Sequence, residues 1–171
     1  MIVVSDTNVL SSLAAGDSLP ALLRLFARST LWIPPSVRDE LQMGLDKGRT
    51  YLEPIFRALT TQQIDVMPLS PEEEQFTQAY PERLNLGERQ AIALARTRNA
   101  VLLSNDTRAL RYCQQQNIHT MNLVGILRLL WVRQILSQDE VRTLITKMEQ
   151  VENLVLVSAQ RAEIFAPRRR T

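Results

Sequence analysis

Apolar residues along this chain fall into two kinds of run, short unbroken ones and longer ones spaced three and four apart, and the two kinds take turns. Ile2 to Val4 is unbroken and β-branched, which predicts a strand covered on both faces, as parallel sheets require. It ends at Ser5 and Asp6, and the apolar pattern resumes at Val9 and Leu10 as a helix. After a turn at Gly16 and Asp17, Leu22, Leu23, Leu25 and Phe26 take helical spacing. A short strand over 31–33 is closed by Pro34 and Pro35, and proline favours the opening of the helix that follows. In that helix Val37, Leu41 and Gly44 or Leu45 form the inward stripe, with Glu40 on its flank. Residues 48–60 read as a further helix or a mobile segment, and 64–69 as a strand alternating around Asp65. Ser70, Pro71 and Glu73 make a capping box, so a helix runs on through Ala79.

The second half repeats the first. A helix over 86–98 carries Ala91, Ile92 and Ala95 three, four and seven positions after Glu88, so Glu88 shares its apolar face. An inward carboxylate is costly unless paired or metal-bound. The alternative is a charge placed at the positive end of the helix. Asn99 reads as a left-handed helix stop, and 100–103 as a second buried strand. That strand meets Ser104, Asn105 and Asp106, and a helix resumes through Leu110 and Cys113; either Ser104 or Asn105 can cap it, leaving Asp106 free. Asn117 is another stop, and 118–122 the last parallel strand. Residues 123–132 are apolar on more than one face, hence either buried throughout or a partner surface, with Trp131 the residue of interest. Ser137 and Glu140 form another capping box, followed by a stripe of Val141, Leu144, Ile145 and Met148. Strand, helix and strand joined by short connections predict an α/β fold, a three-layer sandwich with a central parallel sheet.

Composition narrows the chemistry. With 171 residues, 45% of them hydrophobic, the chain has enough material for one substantial core; we expect one domain over 1–150, with 151–171 an extension of it or a frayed tail. Twenty Lys+Arg against 18 Asp+Glu leave a net charge of +2, so attraction for nucleic acid depends on where the charges lie. The lone Cys113 excludes an intramolecular disulfide, and the lone His119 excludes histidine-rich zinc sites. With no signal peptide and no apolar run long enough for a bilayer, a soluble cytoplasmic protein is expected. Glycine-rich nucleotide loops are absent.

Asp6, Glu40, Glu88 and Asp106 all fall at strand ends or helix starts, which a parallel sheet gathers on one edge. For Asp6 a helix cap is the competing reading. Two carboxylates about 4 Å apart repel by on the order of 4 kcal/mol at an effective dielectric near 20. Hard divalent cations relieve this, and Mg²⁺ or Mn²⁺ suits oxygen-only ligands. Such a site suits hydrolysis of a phosphodiester by metal-activated water.

The ordered set SDTNVL at 5–10, PPSVRDEL at 34–41, LGERQAIALA at 86–95 and LLSNDTRAL at 102–110 resembles PIN-domain proteins, most closely the VapC-like ribonuclease toxins. The resemblance runs to about Met148. It implies that Asp6, Glu40, Glu88 and Asp106 are the catalytic and metal-binding acids, supported by Ser104 and Asn105, with Thr7 or Asn8 orienting the first. It also implies Mg²⁺ or Mn²⁺ dependence, endonucleolytic cleavage of RNA leaving a 3′ hydroxyl, a homodimer, and inhibition by a small antitoxin. Many relatives have Asp where Glu88 stands, and some have an acid where Asn105 stands. Arg38, Arg89 and Arg108 are candidate RNA contacts, and Arg108 can instead pair with an acid. Arg168, Arg169 and Arg170 are expected to be a solvated terminus. The function expected is a metal-dependent endoribonuclease, the toxin of a type II toxin-antitoxin pair. The alternative is an inactive PIN-like domain that binds RNA or protein; a receiver-like phospho-acceptor lacks a lysine partner.

Overall fold

Five short strands carry the fold: β1 (Ile2–Ser5), β2 (Thr30–Ile33), β3 (Asp65–Val66), β4 (Val101–Leu103) and β5 (Thr120–Met121). In the computed structural model, which describes residues 1–167, all pair in parallel in the order β3-β2-β1-β4-β5. Val3 lies opposite both Leu31 and Val101, which puts the most apolar strand at the centre. Its side chains then divide by the two-residue period of a strand. Val3 enters one apolar cluster with Leu31, Ile33 and Leu103, whereas Val4 enters another with Leu102.

Helices cover both faces. On the Val3 face lie α1 (Thr7–Ala15), α2 (Leu19–Leu25), α3 (Pro35–Asp46), α4 (Glu53–Thr60), α8 (Leu123–Val132), α9 (Gln138–Glu152) and α10 (Ser158–Phe165). On the Val4 face lie α5 (Pro71–Ala79), α6 (Leu86–Thr97) and α7 (Thr107–Gln115). The result is a three-layer α/β sandwich with a central parallel sheet. No helix among the described residues is long and apolar enough to cross a membrane.

Several sequence expectations are met in detail. Ser70 and Ser137 form capping boxes with Glu73 and Glu140, and Asn99 and Asn117 stop helices with φ of 50° and 55°. Others need correction. Residues 48–60 form a 3-10 turn (Thr50–Leu52) followed by α4, and the strand expected over 64–69 shrinks to Asp65–Val66. It is an edge strand, and Pro68 has no N–H with which to extend the ladder. The apolar α8 buries Leu123, Val124, Ile126, Leu127, Leu130 and Trp131 and leaves Leu129 and Val132 half-buried; α10 covers part of it, with Trp131 Nε1 donating to the Ile164 carbonyl at 2.7 Å and Arg128 donating to the Ala166 carbonyl at 2.7 Å. Ile164 is fully buried. Beyond residue 150, α10 packs against α8 through Ile164, while Val151, Val155 and Val157 are exposed; Arg168, Arg169 and Arg170 lie outside the described residues.

Glu73 serves beyond its cap. Its carboxylate accepts from Arg98 Nε at 2.7 Å and Nη2 at 3.2 Å, and from the Thr97 hydroxyl, tying α5 to the end of α6. The Arg98 bonds hold this buried acid down to about 2, well below the usual carboxylate range.

Candidate active site

The chain winds outward from β1 to β2 and β3, then returns to the other side of β1 for β4 and β5. The carboxyl ends of β1 and β4 are thus the point where strand order reverses, which is where open parallel sheets form a crevice. Asp6 follows β1 and Asp106 follows β4, one on each side of that point. The Asp6 amide donates to the Leu103 carbonyl at 3.0 Å and closes the strands together at this edge.

Asp6 is buried, with 2% of its surface exposed. Its Oδ1 accepts from the Val9 amide at 3.0 Å, so it does cap α1, while its Oδ2 is buried with no hydrogen-bond partner among the described residues. Glu88 is buried too, and divides its oxygens in the same way. Oε2 accepts from the Asn85 amide at 2.9 Å while Asn85 Oδ1 accepts from the Glu88 amide at 2.7 Å, a reciprocal capping box. Its Oε1 makes no hydrogen bond among the described residues.

Asp106 departs from expectation, because it is itself the cap of α7. Its Oδ1 accepts from the Arg108 and Ala109 amides at 2.8 and 2.9 Å. Ser104, expected as a possible cap, instead accepts from the Asp106 amide at 3.3 Å. The carboxylate reaches two amides from the Ncap position, so the shorter alternatives one and two residues earlier are not needed. Oδ2 is left with only the Arg108 guanidinium, 3.7 Å away.

Glu40 is brought in from the flank of α3 by a residue expected to serve Asp6. The Thr7 hydroxyl donates to Glu40 Oε2, so Thr7 orients the second acid and not the first. Space for Glu40 comes from Gly87 on α6, where a Cβ would stand 2.8 Å from Oε1. Asn8 is exposed, Asn105 half-buried and Ser104 buried.

The charges act on one another. Burial pushes Asp6 up to about 6, Glu88 adds to the rise, and the Ser104 hydroxyl and the Val9 and Asn105 amides oppose it. Burial also raises Glu88, with the Asp106 and Glu40 charges adding to it and the Asn85 amide and Arg108 opposing. Asp6 thus feels Glu88, and Glu88 feels Asp106 and Glu40.

A family model described as a PIN domain matches residues 2–165, almost the whole chain. The chain belongs to the PIN-domain family. Among solved structures, one chain in the crystal structure of VapBC2 from Rickettsia felis, bound to a DNA fragment from their promoter, is similar to this PIN domain. The TM-score is 0.53 and the identity 20%, over 71% of this chain and 98% of that one, a likeness of fold. No curated protein matches.

Whether this PIN domain fits a divalent ion is decided by its donors. They are oxygens only, and Asp6 offers a buried, unpartnered one, which suits a hard cation. Among the described residues, however, no three His, Cys, Asp or Glu side chains stand close enough to grip one ion together. The expected all-carboxylate pocket is therefore corrected to a looser one: cap and Thr7 bonds hold one oxygen of each acid back from a shared centre. Mg²⁺ accepts such a site, since it usually keeps several waters and takes one or two carboxylates.

The candidate RNA contacts of this PIN domain differ in availability. Arg38 is exposed and bonds Asp39 at 3.1 Å, and Arg108 is exposed beside Asp106. Arg89 is half-buried, with Nη1 donating to the Thr77 carbonyl at 3.3 Å, so it belongs to the α5–α6 contact and not to a free surface. Its neighbour Gln90 accepts from the Ser36 amide at 3.1 Å and joins α6 to α3. Sequence reasoning passed over Gly87 and Asn85. The Asn-x-x-Glu spacing of Asn85 and Glu88 was the available signal for the second.

Proposed function

We propose that this PIN domain is a divalent-metal-dependent endoribonuclease, the toxin of a type II pair, acting in the cytoplasm as a homodimer held in check by a small antitoxin. The observation that carries the reading is Asp6 Oδ2, a buried carboxylate oxygen without a partner at the point of strand reversal. Leaving such a group unsatisfied costs on the order of 1–3 kcal/mol, more when charged, which is sensible where a cation completes it. The other acids support it by the same economy: Glu88 and Asp106 each give one oxygen to a helix start and keep the second outside that bond.

A bound Mg²⁺ or Mn²⁺ supplies charge neutralisation for the phosphodiester and a water of lowered pKa. Asp6 and Asp106, after β1 and β4, would hold the ion, with Glu88, whose charge acts with both, as a further donor. Burial and the Asp106 and Glu40 charges raise Glu88, a cost that a bound cation would relieve. Thr7 fixes the Glu40 carboxylate toward α6. Arg108, exposed and loosely paired, is the cation nearest to Asp106 that can meet a substrate phosphate.

A second reading draws on the cap bonds themselves. Asp6, Glu88 and Asp106 all have structural employment, as they would in an inactive PIN domain that binds RNA or protein. Incubating RNA with the protein in Mg²⁺, Mn²⁺ or chelator separates the two. Cleavage that needs the metal and disappears in Asp6→Asn supports the nuclease; traces that are the same for both proteins and indifferent to metal remove it.

A further inference from the structure

Beside the acids runs a groove of about 510 Å³ that the sequence did not suggest. Thr7, Asn8, Arg49, Tyr51, Asp106 and Glu152 are among the residues that line it. Its outer wall comes from the end of α9, the part of the chain beyond the motif resemblance. That wall is fastened. Glu152 Oε2 accepts from the Ser12 hydroxyl at 2.7 Å, and Oε1 accepts from the Tyr51 hydroxyl at 3.1 Å and from Ser11. Ser11 and Ser12 belong to α1, the helix capped by Asp6, so groove and acids share one rigid support. Asn153 then turns the chain away with a φ of 53°.

Arg49 is the only Lys or Arg lining the groove among the described residues. It is exposed, makes no ion pair or side-chain hydrogen bond there, and lies near enough to the Tyr51 hydroxyl for its charge to oppose that phenol's upward shift. The remaining lining is hydroxyl, amide and carboxylate, with Val151 and Leu154 as its apolar members. A mostly polar groove that holds Asp106 of the acid set and an unpaired guanidinium is matched to a chain that carries phosphates at intervals and hydroxyls between them.

We propose that this groove is the subsite for single-stranded RNA flanking the cleaved phosphodiester, and that Arg49 binds a phosphate next to the scissile one. The proposal rests on the nuclease reading for its substrate. Arg49 is a specificity and binding residue, not part of the acid set.

The test has a binding arm and a cleavage arm. In the Asp6→Asn background, fluorescence anisotropy with a short labelled single-stranded RNA is expected to show affinity falling about tenfold on Arg49→Ala, with the salt slope reduced by about one. Arg49→Lys should recover part of the loss, and Arg133→Ala, at the exposed end of α8, should change little. In the otherwise wild-type protein Arg49→Ala should raise KM with kcat nearly unchanged. Equal affinity and equal salt slope for Arg49→Ala and its parent overturn the proposal and point to a protein segment as occupant. If the wild type cleaves nothing in any metal, the nuclease reading fails, while the anisotropy still decides whether Arg49 holds RNA.

Discussion

Glu40 fills the place where a side chain at position 87 would lie: a Cβ on Gly87 would stand 2.8 Å from Glu40 Oε1 and 3.2 Å from its Cδ. The helix itself would tolerate alanine there, and in a helix interior alanine is favoured over glycine by about 1 kcal/mol. Gly87→Ala should therefore lose metal-dependent RNA cleavage by at least about tenfold with little change in melting temperature, since moving a reacting group by about 1 Å can cost about 100-fold. Equal loss of cleavage and of stability would assign the close approach to packing alone.

Asp6→Asn separates charge from cap, because Asn retains an Oδ1 to accept from Val9. Asp6 titrates near 6 in the fold against an ordinary value of 3.8. Its folded pKa is raised, so the wild type is favoured below about 4 and loses that contribution as pH rises through about 6. In chelator at pH 7 the variant should melt higher, by up to about 3 kcal/mol, and the difference should vanish near pH 4. Adding Mn²⁺ should raise the melting point of the wild type and not of the variant. A variant less stable at pH 7 would show that the cap outweighs the buried charge.

The Glu73–Arg98 pair gives the opposite pH dependence, far from the acids. Glu73 is held near 2, below its ordinary 4.5, so its contribution is present above about 4.5 and is lost as pH falls through 2. Arg98 is 37% exposed on its side chain, which weakens the pair through hydration. Glu73→Gln should cost about 2 kcal/mol in urea denaturation at pH 7, less at pH 2.5, and leave RNA cleavage unchanged once folded.

Ile164 tests how far the domain extends. It is fully buried, and the main chain around it receives bonds from Trp131 and Arg128 of α8. Ile164→Ala should destabilise the whole protein by about 2–5 kcal/mol in one cooperative transition. A separate early transition for α10 would mean that it is an appendage.

Most of the sandwich was legible because its signals are local: β-branched runs, capping boxes at Ser70 and Ser137, and Asn99 and Asn117 at left-handed stops. What escaped is what depends on distant partners. Thr7 lies next to Asp6 in sequence but bonds Glu40, thirty-three residues away. Glu152 sits in a segment without a motif, and its hydroxyl partners Ser11 and Ser12 look like ordinary helix positions. For the acids, spacing posed a choice between cap and site that the fold does not force: a carboxylate has two oxygens, and Asp6 and Asp106 give one to the helix while the other stays apart.

That division is tested most directly by crystals soaked in Mn²⁺, with anomalous differences recorded at the manganese edge. The expected result is a peak in direct contact with Asp6 Oδ2, with Oδ1 still accepting from the Val9 amide and waters filling the remaining positions. Manganese absent from this edge of the sheet in a fully soaked crystal, or an Asp6 Oδ2 satisfied by a protein donor, would contradict the account.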